Sequence, residues 1–285
     1  MKEAGTLYMV ATPIGNLDDM TFRAVQCLKD ADLIACEDTR HSRILLDHYD
    51  IHTKTTSYHE HNKYEKAGAL VEMLRQGMNI AAITDAGTPG ISDPGEELVR
   101  QAVQAGIRVS ALPGASAVIT ALSACGLSTR RFVFEGFIPV EKKERKEALE
   151  RIRTEQRTVV IYEAPHRIRK TLSELKSVAG GRNICLCREL TKKYEEMLRF
   201  TISEAVDYFG ENDPRGEMVI VIEGVSPEEH SEQVSEQWQD KPLQEHMDVY
   251  LAKGLSEKDA MKAVAKDLGV SKREIYDELK IRKES

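Results

Sequence analysis

The chain has 285 residues, of which 41% are apolar and 31% charged, and its formal net charge at pH 7 is −7. This length and composition are typical of a globular protein with one large or two medium domains. The negative net charge excludes a surface coated with positive charge, but a local basic groove that binds nucleic acid stays open. The sequence has no run of about 18 apolar residues and no basic segment followed by an apolar one at its start, so we expect a cytoplasmic protein without membrane contact.

The first 112 residues alternate between predicted strands and helices. Predicted strands cover residues 6–12, 33–36, 54–58, 80–84 and 108–112, and predicted helices cover residues 21–31, 44–48, 63–76 and 96–105. Such alternation predicts an α/β lobe with a parallel sheet and helices on its faces. Polar residues follow several of these strands, so the topology gathers them along one edge, where open α/β sheets bind ligands.

The stretch IAAITDAGTPGISDPG, residues 80–95, is the clearest of these strand ends. Asp85 follows an apolar strand and precedes a loop rich in Gly and Pro. Glycines let backbone N–H and C=O groups approach a ligand closely, and the loop is long for a connection that usually takes about 2–6 residues. A ligand role is therefore favoured over a tight connection that binds nothing.

Residues 113–225 predict a second α/β lobe. It begins with a small-residue helix at 113–126 and a strand at 132–138, followed by a charged helix at 142–156 and strands at 159–163, 184–187, 197–202 and 218–223. Because some neighbouring strands lack long helical crossovers, we expect a mixed sheet. Residues 226–242 are rich in Ser, Glu, Gln and Pro, which is typical of a linker.

Residues 243–285 predict a small helical domain. Ser256 with Asp259 three residues later starts one helix, Gly269 ends it, and Ser271 starts another. Two short helices joined by a glycine-containing turn match a helix-turn-helix unit. Basic side chains, among them Lys272 and Arg273, cluster on its second half. Nucleic-acid binding and simple packing are both open for this unit.

Five scattered cysteines, an odd number, fit reduced thiols. Cys185 and Cys187 share one face of a predicted strand, and no second Cys or His pair at zinc spacing accompanies them, so we expect ordinary packing there. His59 and His61 make only a weak metal candidate, and we predict no metal.

The common nucleotide and nucleophile motifs are absent from the sequence. Without GxxxxGK[ST] or GxGxxG, a P-loop hydrolase, an NAD enzyme and a common Rossmann methyltransferase are disfavoured, and Ser116 does not lie in a GxSxG elbow. Arg40, Arg167 and Arg188 follow strand ends, where their guanidinium groups suit phosphate, carboxylate or surface ion pairs. The residues alone thus predict a two-domain α/β enzyme with a small polar ligand at one sheet edge.

Seven ordered motifs together resemble one family, the bacterial small-subunit (16S) ribosomal RNA methyltransferases that modify the ribose 2′-hydroxyl of a decoding-site cytidine. These enzymes have the tetrapyrrole-methylase-like (class III) S-adenosylmethionine fold. The motifs are VATPIGNLDDMT (residues 10–21), EDTRHSRILL (37–46), TDAGTPGISDPG (84–95), LPGASA (112–117), FEGFIP (134–139), YEAPHRI (162–168) and RGEMVIVIEG (215–224).

The resemblance implies a two-lobed protein, usually a homodimer, that binds S-adenosylmethionine in the cleft between its lobes. The residues that would line the cofactor site are Pro13, Asp85, Gly87, Thr88, Ser116, Ala117, Tyr162, Ala164 and Met218. Other class III enzymes have GDP in the acidic loop where this chain has TDAGTP, a variant associated with the RNA-directed branch. That difference argues against the alternative, a methylase acting on a tetrapyrrole or other small molecule.

The implied chemistry is displacement at the cofactor methyl by ribose O2′, which a nearby proton acceptor would assist. The candidate acceptors are Asp38, His59, Glu60 and His61, and a step without a dedicated base stays open. The residues expected to bind phosphates of small-subunit ribosomal RNA are Arg40, Arg167, Arg188, Lys272 and Arg273. For Asp38 and Arg40 an internal salt bridge is the alternative.

Overall fold

The N-terminal lobe is a parallel five-stranded sheet with helices on both faces. The computed structural model describes residues 3–230, 235, 238 and 241–284. The strands of this lobe are β1 (Thr6–Val10), β2 (Leu33–Cys36), β3 (Thr55–Ser57), β4 (Ile80–Ile83) and β5 (Arg108–Leu112), and its helices are α1 (Phe22–Asp30), α2 (Thr39–His48), α3 (Lys63–Arg75) and α4 (Gly95–Gln104). The strand order is β3-β2-β4-β1-β5, which confirms the predicted parallel sheet.

Alternation along β1 shows why this sheet is covered on both sides. Leu7 and Met9 belong to a buried cluster with α3 and α4, whereas Val10 belongs to a second cluster with α1 and α2, against which Tyr8 also packs. A parallel sheet needs both faces covered because its strands are apolar throughout. Because its strand pairs are all parallel, the strands of this sheet end at one edge of the lobe.

The second lobe is a mixed five-stranded sheet, as the sequence predicted. Its elements are α5 (Ala117–Ala124), β6 (Phe132–Phe137), α6 (Lys142–Thr154), β7 (Thr158–Glu163), α7 (Ile168–Ala179), β8 (Asn183–Arg188), β9 (Glu196–Thr201), α8 (Ile202–Glu211) and β10 (Met218–Ile222). The order is β6-β7-β10-β8-β9; β6 and β7 are parallel, and the other pairs are antiparallel.

Helix α8 has no counterpart among the predicted elements, and its start shows why it forms. The Thr201 hydroxyl accepts a hydrogen bond from Glu204 N at 3.2 Å, and the Glu204 carboxylate accepts one from Thr201 N at 2.7 Å. This capping box satisfies backbone donors at the helix start. The sequence therefore contained the capping signal for this helix. The signal lies at the end of a predicted strand, where an apolar pattern continues.

The paired cysteines of the second lobe pack as expected. Cys185 and Cys187 are fully buried in a cluster with Val160 and Val219, and their Sγ atoms lie 3.8 Å apart. The hydrogen bond with Cys185, together with burial, raises the pKa of Cys187. The described residues contain no group of three or more His, Cys, Asp and Glu side chains placed to hold a metal ion.

Three C-terminal helices share a small core of their own. They are α9 (Leu243–Ala252), α10 (Glu257–Asp267) and α11 (Lys272–Glu284). Leu243 and Met247 of α9 are buried with Val264 and Ile275, so the predicted two-helix unit packs against a third helix. Residues 227–230 are helical, and most of the remaining predicted linker, 226–242, lies outside the described residues. Within the described part of the chain, no helix is long and apolar enough to cross a membrane.

Candidate active site

A cavity of about 510 Å³ lies between the two α/β lobes. Its walls come from loops that follow β1, β2 and β4 on one side and from β7, β8, β10 and the loops beside them on the other. The volume falls within the range of about 300–1,000 Å³ that is usual for small-molecule and cofactor sites. Loops at strand ends of both lobes thus line this cavity together.

The loop of residues 84–95 is fastened to the strand-end loops beside it. Thr12 N donates to Gly87 O at 2.9 Å, and Gly87 N donates to Thr12 O at 3.1 Å. Gly87 has a φ of +85°, a conformation that glycine adopts without steric cost. The Thr88 hydroxyl donates to Ala115 O at 3.0 Å, which ties the loop to the chain entering the second lobe.

Asp93 shapes the second half of this loop. Its carboxylate accepts hydrogen bonds from Gly90 N at 2.9 Å and from Gly95 N at 2.7 Å. A Cβ at position 95 would lie only 2.7 Å from Asp93 Oδ1, so the close approach requires glycine. Burial raises the pKa of Asp93, although the two backbone N–H groups oppose the shift. The carboxylate is therefore a structural acceptor on the cavity wall.

Glu37 lies directly after β2 and reaches the cavity. The Thr84 hydroxyl donates to Glu37 Oε2 at 3.0 Å. Within the described part of the chain, Glu37 Oε1 accepts no hydrogen bond. Glu37 belongs to the motif of residues 37–46 but is not among the site residues that the sequence predicted. Glu37 is the first residue after an apolar strand, as Thr84 is after β4. That position was the signal that could have identified it as a site residue.

Tyr162 forms an aromatic part of the opposite wall. Its ring packs edge-on against Phe134 at 4.9 Å and against Phe137 at 5.4 Å between centroids. Burial raises the pKa of the Tyr162 hydroxyl, so this side chain is a neutral surface at physiological pH. Next to it, the fully buried Glu163 carboxylate pairs with Arg167 Nε at 3.1 Å. This part of the wall is therefore largely apolar, and the acid within it is engaged in an ion pair.

Lys192 is a cation on the cavity wall. Its Nζ lies 3.0 Å from a carboxylate oxygen of Glu189 and 3.0 Å from one of Glu217. Burial lowers the pKa of Lys192, but the hydrogen bonds to Glu217 and Glu189 outweigh it and raise the pKa overall. Glu189 and Thr191 have φ values of +51° and +65°, a conformation that costs non-glycine residues energy and often occurs at ligand sites.

Most of the predicted cofactor residues line the cavity. Those that do are Gly87, Thr88, Ser116, Ala117, Tyr162, Ala164 and Met218. Pro13 and Asp85 lie beside the wall that the described residues form, while their neighbours Ile14 and Ala86 are part of it. The exposed Asp85 carboxylate accepts a hydrogen bond from Asp38 N at 3.3 Å, so in this structure it connects two loops.

The four predicted proton acceptors all lie outside the wall formed by the described residues. Asp38 caps α2, and its hydrogen bonds with Arg40 lower its pKa to about 2. The helix therefore begins at Thr39, earlier than predicted. His59 N donates to Asn62 Oδ1 at 2.9 Å, the ring of His61 lies 6.0 Å from that of His59, and Glu60 pairs with Lys63. A catalytic role for these residues stays a prediction.

The three lobe arginines predicted to bind RNA each have an acidic partner. Arg40 pairs with Asp38 at 2.9 Å and is exposed, Arg167 pairs with Glu163, and Arg188 pairs with Glu196 at 2.6 Å. The ion pairing considered from the sequence is thus present for all three. Lys272 and Arg273 lie in the first turn of α11; Arg273 is exposed, with Nε 3.9 Å from Asp277.

Comparisons with known proteins agree with this architecture. The sequence profile of the family described as Tetrapyrrole (Corrin/Porphyrin) Methylases matches residues 6–206. Among solved structures, diphthine synthase has a TM-score of 0.62 at 11% identity over 80% of this chain and 94% of that one. Uroporphyrin III C-methyltransferase from Thermus thermophilus has a TM-score of 0.57 at 17% identity over 77% and 97%. These two likenesses show the fold.

Curated relatives are far more similar in sequence. A protein of Halalkalibacterium halodurans is 48% identical over 96% of this chain and 94% of its own length. One of Bacillus subtilis is 47% identical over 97% and 94%, and one of Haemophilus influenzae is 51% identical over 82% and 83%. All three are named ribosomal RNA small subunit methyltransferase I. The chain therefore belongs to the tetrapyrrole methylase family and, within it, to the group of methyltransferases that carry this name.

Proposed function

We propose that this protein uses S-adenosylmethionine to methylate the ribose 2′-hydroxyl of a cytidine in small-subunit (16S) ribosomal RNA. The observation that carries the proposal is sequence identity of 47–48% over 96–97% of the chain to proteins named ribosomal RNA small subunit methyltransferase I. That similarity continues past residue 206, where the match to the methylase family ends. It thus includes C-terminal helices that a small-molecule methylase would not need.

The cavity walls suit the chemistry of S-adenosylmethionine, which combines a cationic sulfonium, an amino acid part and an aromatic base. Glu37 and Asp93 on the N-terminal wall favour positive charge, and Lys192 on the opposite wall, paired with Glu189 and Glu217, offers an ammonium donor. Ile14, Leu190 and Val219 supply apolar surface. Gly87, Thr88, Ser116, Ala117, Tyr162, Ala164 and Met218 are the lining residues that would hold the cofactor.

The cofactor, when bound, supplies an activated methyl group, so the protein's task is to align the acceptor and to take up its proton. Three acids on the wall are already engaged: Asp93 by backbone N–H groups, Glu163 by Arg167, and Glu217 by Lys192. Glu37 retains an oxygen without a partner among the described residues. We therefore assign to the Glu37 carboxylate the role of accepting the 2′-hydroxyl proton.

The RNA would be held outside the cavity by exposed cations. Arg40 is the exposed arginine nearest in sequence to Glu37, and its side chain is 90% accessible. Lys272 and Arg273 would add phosphate contacts from α11, the part of the chain where basic residues concentrate. Because phosphate contacts release counterions, binding should weaken steeply with salt. Arg167 and Arg188 would act by shaping the second lobe. Assembly as a homodimer in the cytoplasm also belongs to this proposal.

Transfer of a labelled methyl group tests the proposal against its alternative. The purified protein is incubated with labelled S-adenosylmethionine and, in separate reactions, with unmethylated small ribosomal subunits, naked small-subunit RNA and a porphyrinoid. Label at a cytidine 2′-oxygen is the expected result. Label in the porphyrinoid with none in RNA would establish the tetrapyrrole alternative.

The Glu37→Gln variant tests the assigned proton acceptor. It keeps the hydrogen bond from the Thr84 hydroxyl but is a much weaker base, so cofactor affinity should change little while the transfer rate falls by roughly 10²–10⁴-fold. Asp38→Asn is the matched control, because that side chain lies outside the cavity. A normal rate for Glu37→Gln with a slow Asp38→Asn variant would reverse the assignment.

Removal of residues 243–285 tests the C-terminal helices. A shorter deletion that begins at residue 253 would leave α9 without the two helices that cover it and would expose Leu243 and Met247 of the small core. The deletion therefore includes all three helices. Affinity for RNA should fall while affinity for S-adenosylmethionine is retained. The opposite pattern would mean that these helices support the cofactor site.

A further inference from the structure

Two large apolar side chains are exposed at the cavity although they belong to its wall. Ile91 of the N-terminal lobe is 53% exposed and Phe137 of the second lobe is 52% exposed, and both line the cavity. By contrast, the apolar wall residues Leu190 and Met218 are buried. Exposed apolar surface beside a ligand site usually marks a place that a ligand or partner covers.

The backbone on both sides is irregular at these two positions. Strand β6 changes register against β7 between Phe134 and Gly136, and Gly136 has a φ of +67°. On the facing loop, Ser92 has a φ of +61°. A bulge of this kind redirects the following side chain and is frequent beside active sites, while left-handed non-glycine residues are common at ligand clamps.

The two irregular segments meet at the boundary between the lobes. A Cβ at Gly136 would lie 3.3 Å from Ser92 Oγ, so the residue before Phe137 and the residue after Ile91 are neighbours. Phe137 is held on one side by the edge-on packing with Tyr162, whose centroid is 5.4 Å away. One aromatic and one aliphatic side chain, each from a different lobe, therefore border the same opening.

We propose that Ile91 and Phe137 form a clamp for a nucleobase. This base belongs to the target nucleotide, which is turned out of its stack so that its ribose enters the cavity. The inference rests on the proposed function and adds to it the site that receives the base. A nucleotide turned out of its stack can bring its ribose into a cleft between two lobes, and enzymes that extrude nucleotides stack the base between aromatic and apolar side chains. Every base has a π-face, so this clamp positions the nucleotide rather than choosing cytosine.

Steady-state kinetics with small ribosomal subunits test the clamp. In Phe137→Ala the KM for subunits should rise roughly ten- to a hundredfold, as expected for the loss of one stacked base. Phe137→Trp should restore it, and Phe137→Leu, which keeps apolar volume without an aromatic face, should restore it only in part. Val140→Ala is the control, because Val140 is 80% exposed and lies outside the described cavity wall.

Two further measurements separate the clamp from other roles of Phe137. Calorimetry with S-adenosylmethionine and sedimentation analysis should give the wild-type affinity and oligomeric state for Phe137→Ala. An unchanged KM for subunits, a parallel loss of cofactor affinity, or a changed oligomeric state would each overturn the clamp. If wild-type protein transfers no methyl group to subunits or to naked small-subunit RNA, the proposed function itself fails, which is a different result from any of these.

Discussion

The two loops that border the cavity from opposite lobes share backbone hydrogen bonds but differ in their charged contacts. On the N-terminal side, residues 84–95 are fixed by hydrogen bonds from Gly90 N and Gly95 N to the Asp93 carboxylate and by the backbone pairing of Gly87 with Thr12. On the other side, the ion pairs of Lys192 with Glu189 and Glu217 add to the hydrogen bonds that fix residues 189–192, such as Glu189 N to Glu217 O at 3.0 Å. Both loops contain non-glycine residues in the left-handed conformation.

The difference predicts different responses to solution conditions. Backbone hydrogen bonds to a partly buried carboxylate are little affected by salt, whereas ion pairs between accessible groups are screened. The Glu217 side chain is 80% accessible and that of Lys192 is 31% accessible. The N-terminal loop should therefore respond little to salt, whereas the position of the opposite loop should depend in part on charge.

Asp93→Ala should have the largest effect on this pair of loops. It removes the acceptor of two backbone N–H groups, so the free energy of unfolding should fall by about 2–3 kcal/mol, and affinity for S-adenosylmethionine should fall with it. Chemical denaturation and calorimetry measure the two quantities. Asp207→Ala, which removes an accessible carboxylate 3.7 Å from Lys176, is the control. Equal stability of the two variants would show that Asp93 does not hold the loop.

Lys192→Ala should have a smaller effect on stability and a salt-dependent effect on binding. Loss of an exposed ion pair such as that with Glu217 usually changes stability by about 0–1 kcal/mol, but the less accessible Glu189 also loses its counter-charge. Cofactor affinity should fall at low salt, and the difference from wild type should shrink in 1 M NaCl, where screening acts within about 3 Å. The adjacent Lys193→Ala is the matched control. A salt-independent difference would contradict the charge-dependent position of this loop.

The pH dependence of stability gives the smallest predicted effect. Because the pKa of Asp93 is raised in the folded protein, the folded state binds this proton more tightly than the unfolded state. The contribution of Asp93 to the free energy of unfolding is therefore greatest below the ordinary Asp range and declines as pH rises through the raised pKa. Asp93→Asn should remove that decline, which denaturation curves at a series of pH values would detect. Identical slopes of stability against pH for both proteins would contradict a raised pKa of Asp93 in the folded protein.

The sequence predicted those parts of the fold that follow from local patterns. Apolar runs located the strands, and their ends located the loops that enclose the cavity, because parallel strands end at one edge. The strand order β3-β2-β4-β1-β5 depends on packing between distant segments and has no local signal. The same holds for the bulge before Gly136, where a single glycine in a strand had several possible meanings.

The site was predicted less completely because a side chain's partners decide its role. Asp38 and Glu37 are adjacent, yet Asp38 caps α2 and binds Arg40, whereas Glu37 reaches the cavity. Arg167 and Arg188 follow strand ends as expected, but Glu163 and Glu196 engage them. Lys192 was missed because its loop follows β8 with no glycine to mark it. Family resemblance, rather than spacing, supplied the residues that line the cavity.

One titration tests most directly whether the cavity between the lobes holds the cofactor. Ala86 is an exposed residue of the N-terminal wall, so Ala86→Trp places a large ring at the cavity without disturbing a core. Ala252→Trp, at an exposed position in α9, is the matched control. Calorimetry with S-adenosylmethionine should show binding for wild type and Ala252→Trp and severe loss for Ala86→Trp. Wild-type affinity in a folded Ala86→Trp variant would place the cofactor elsewhere.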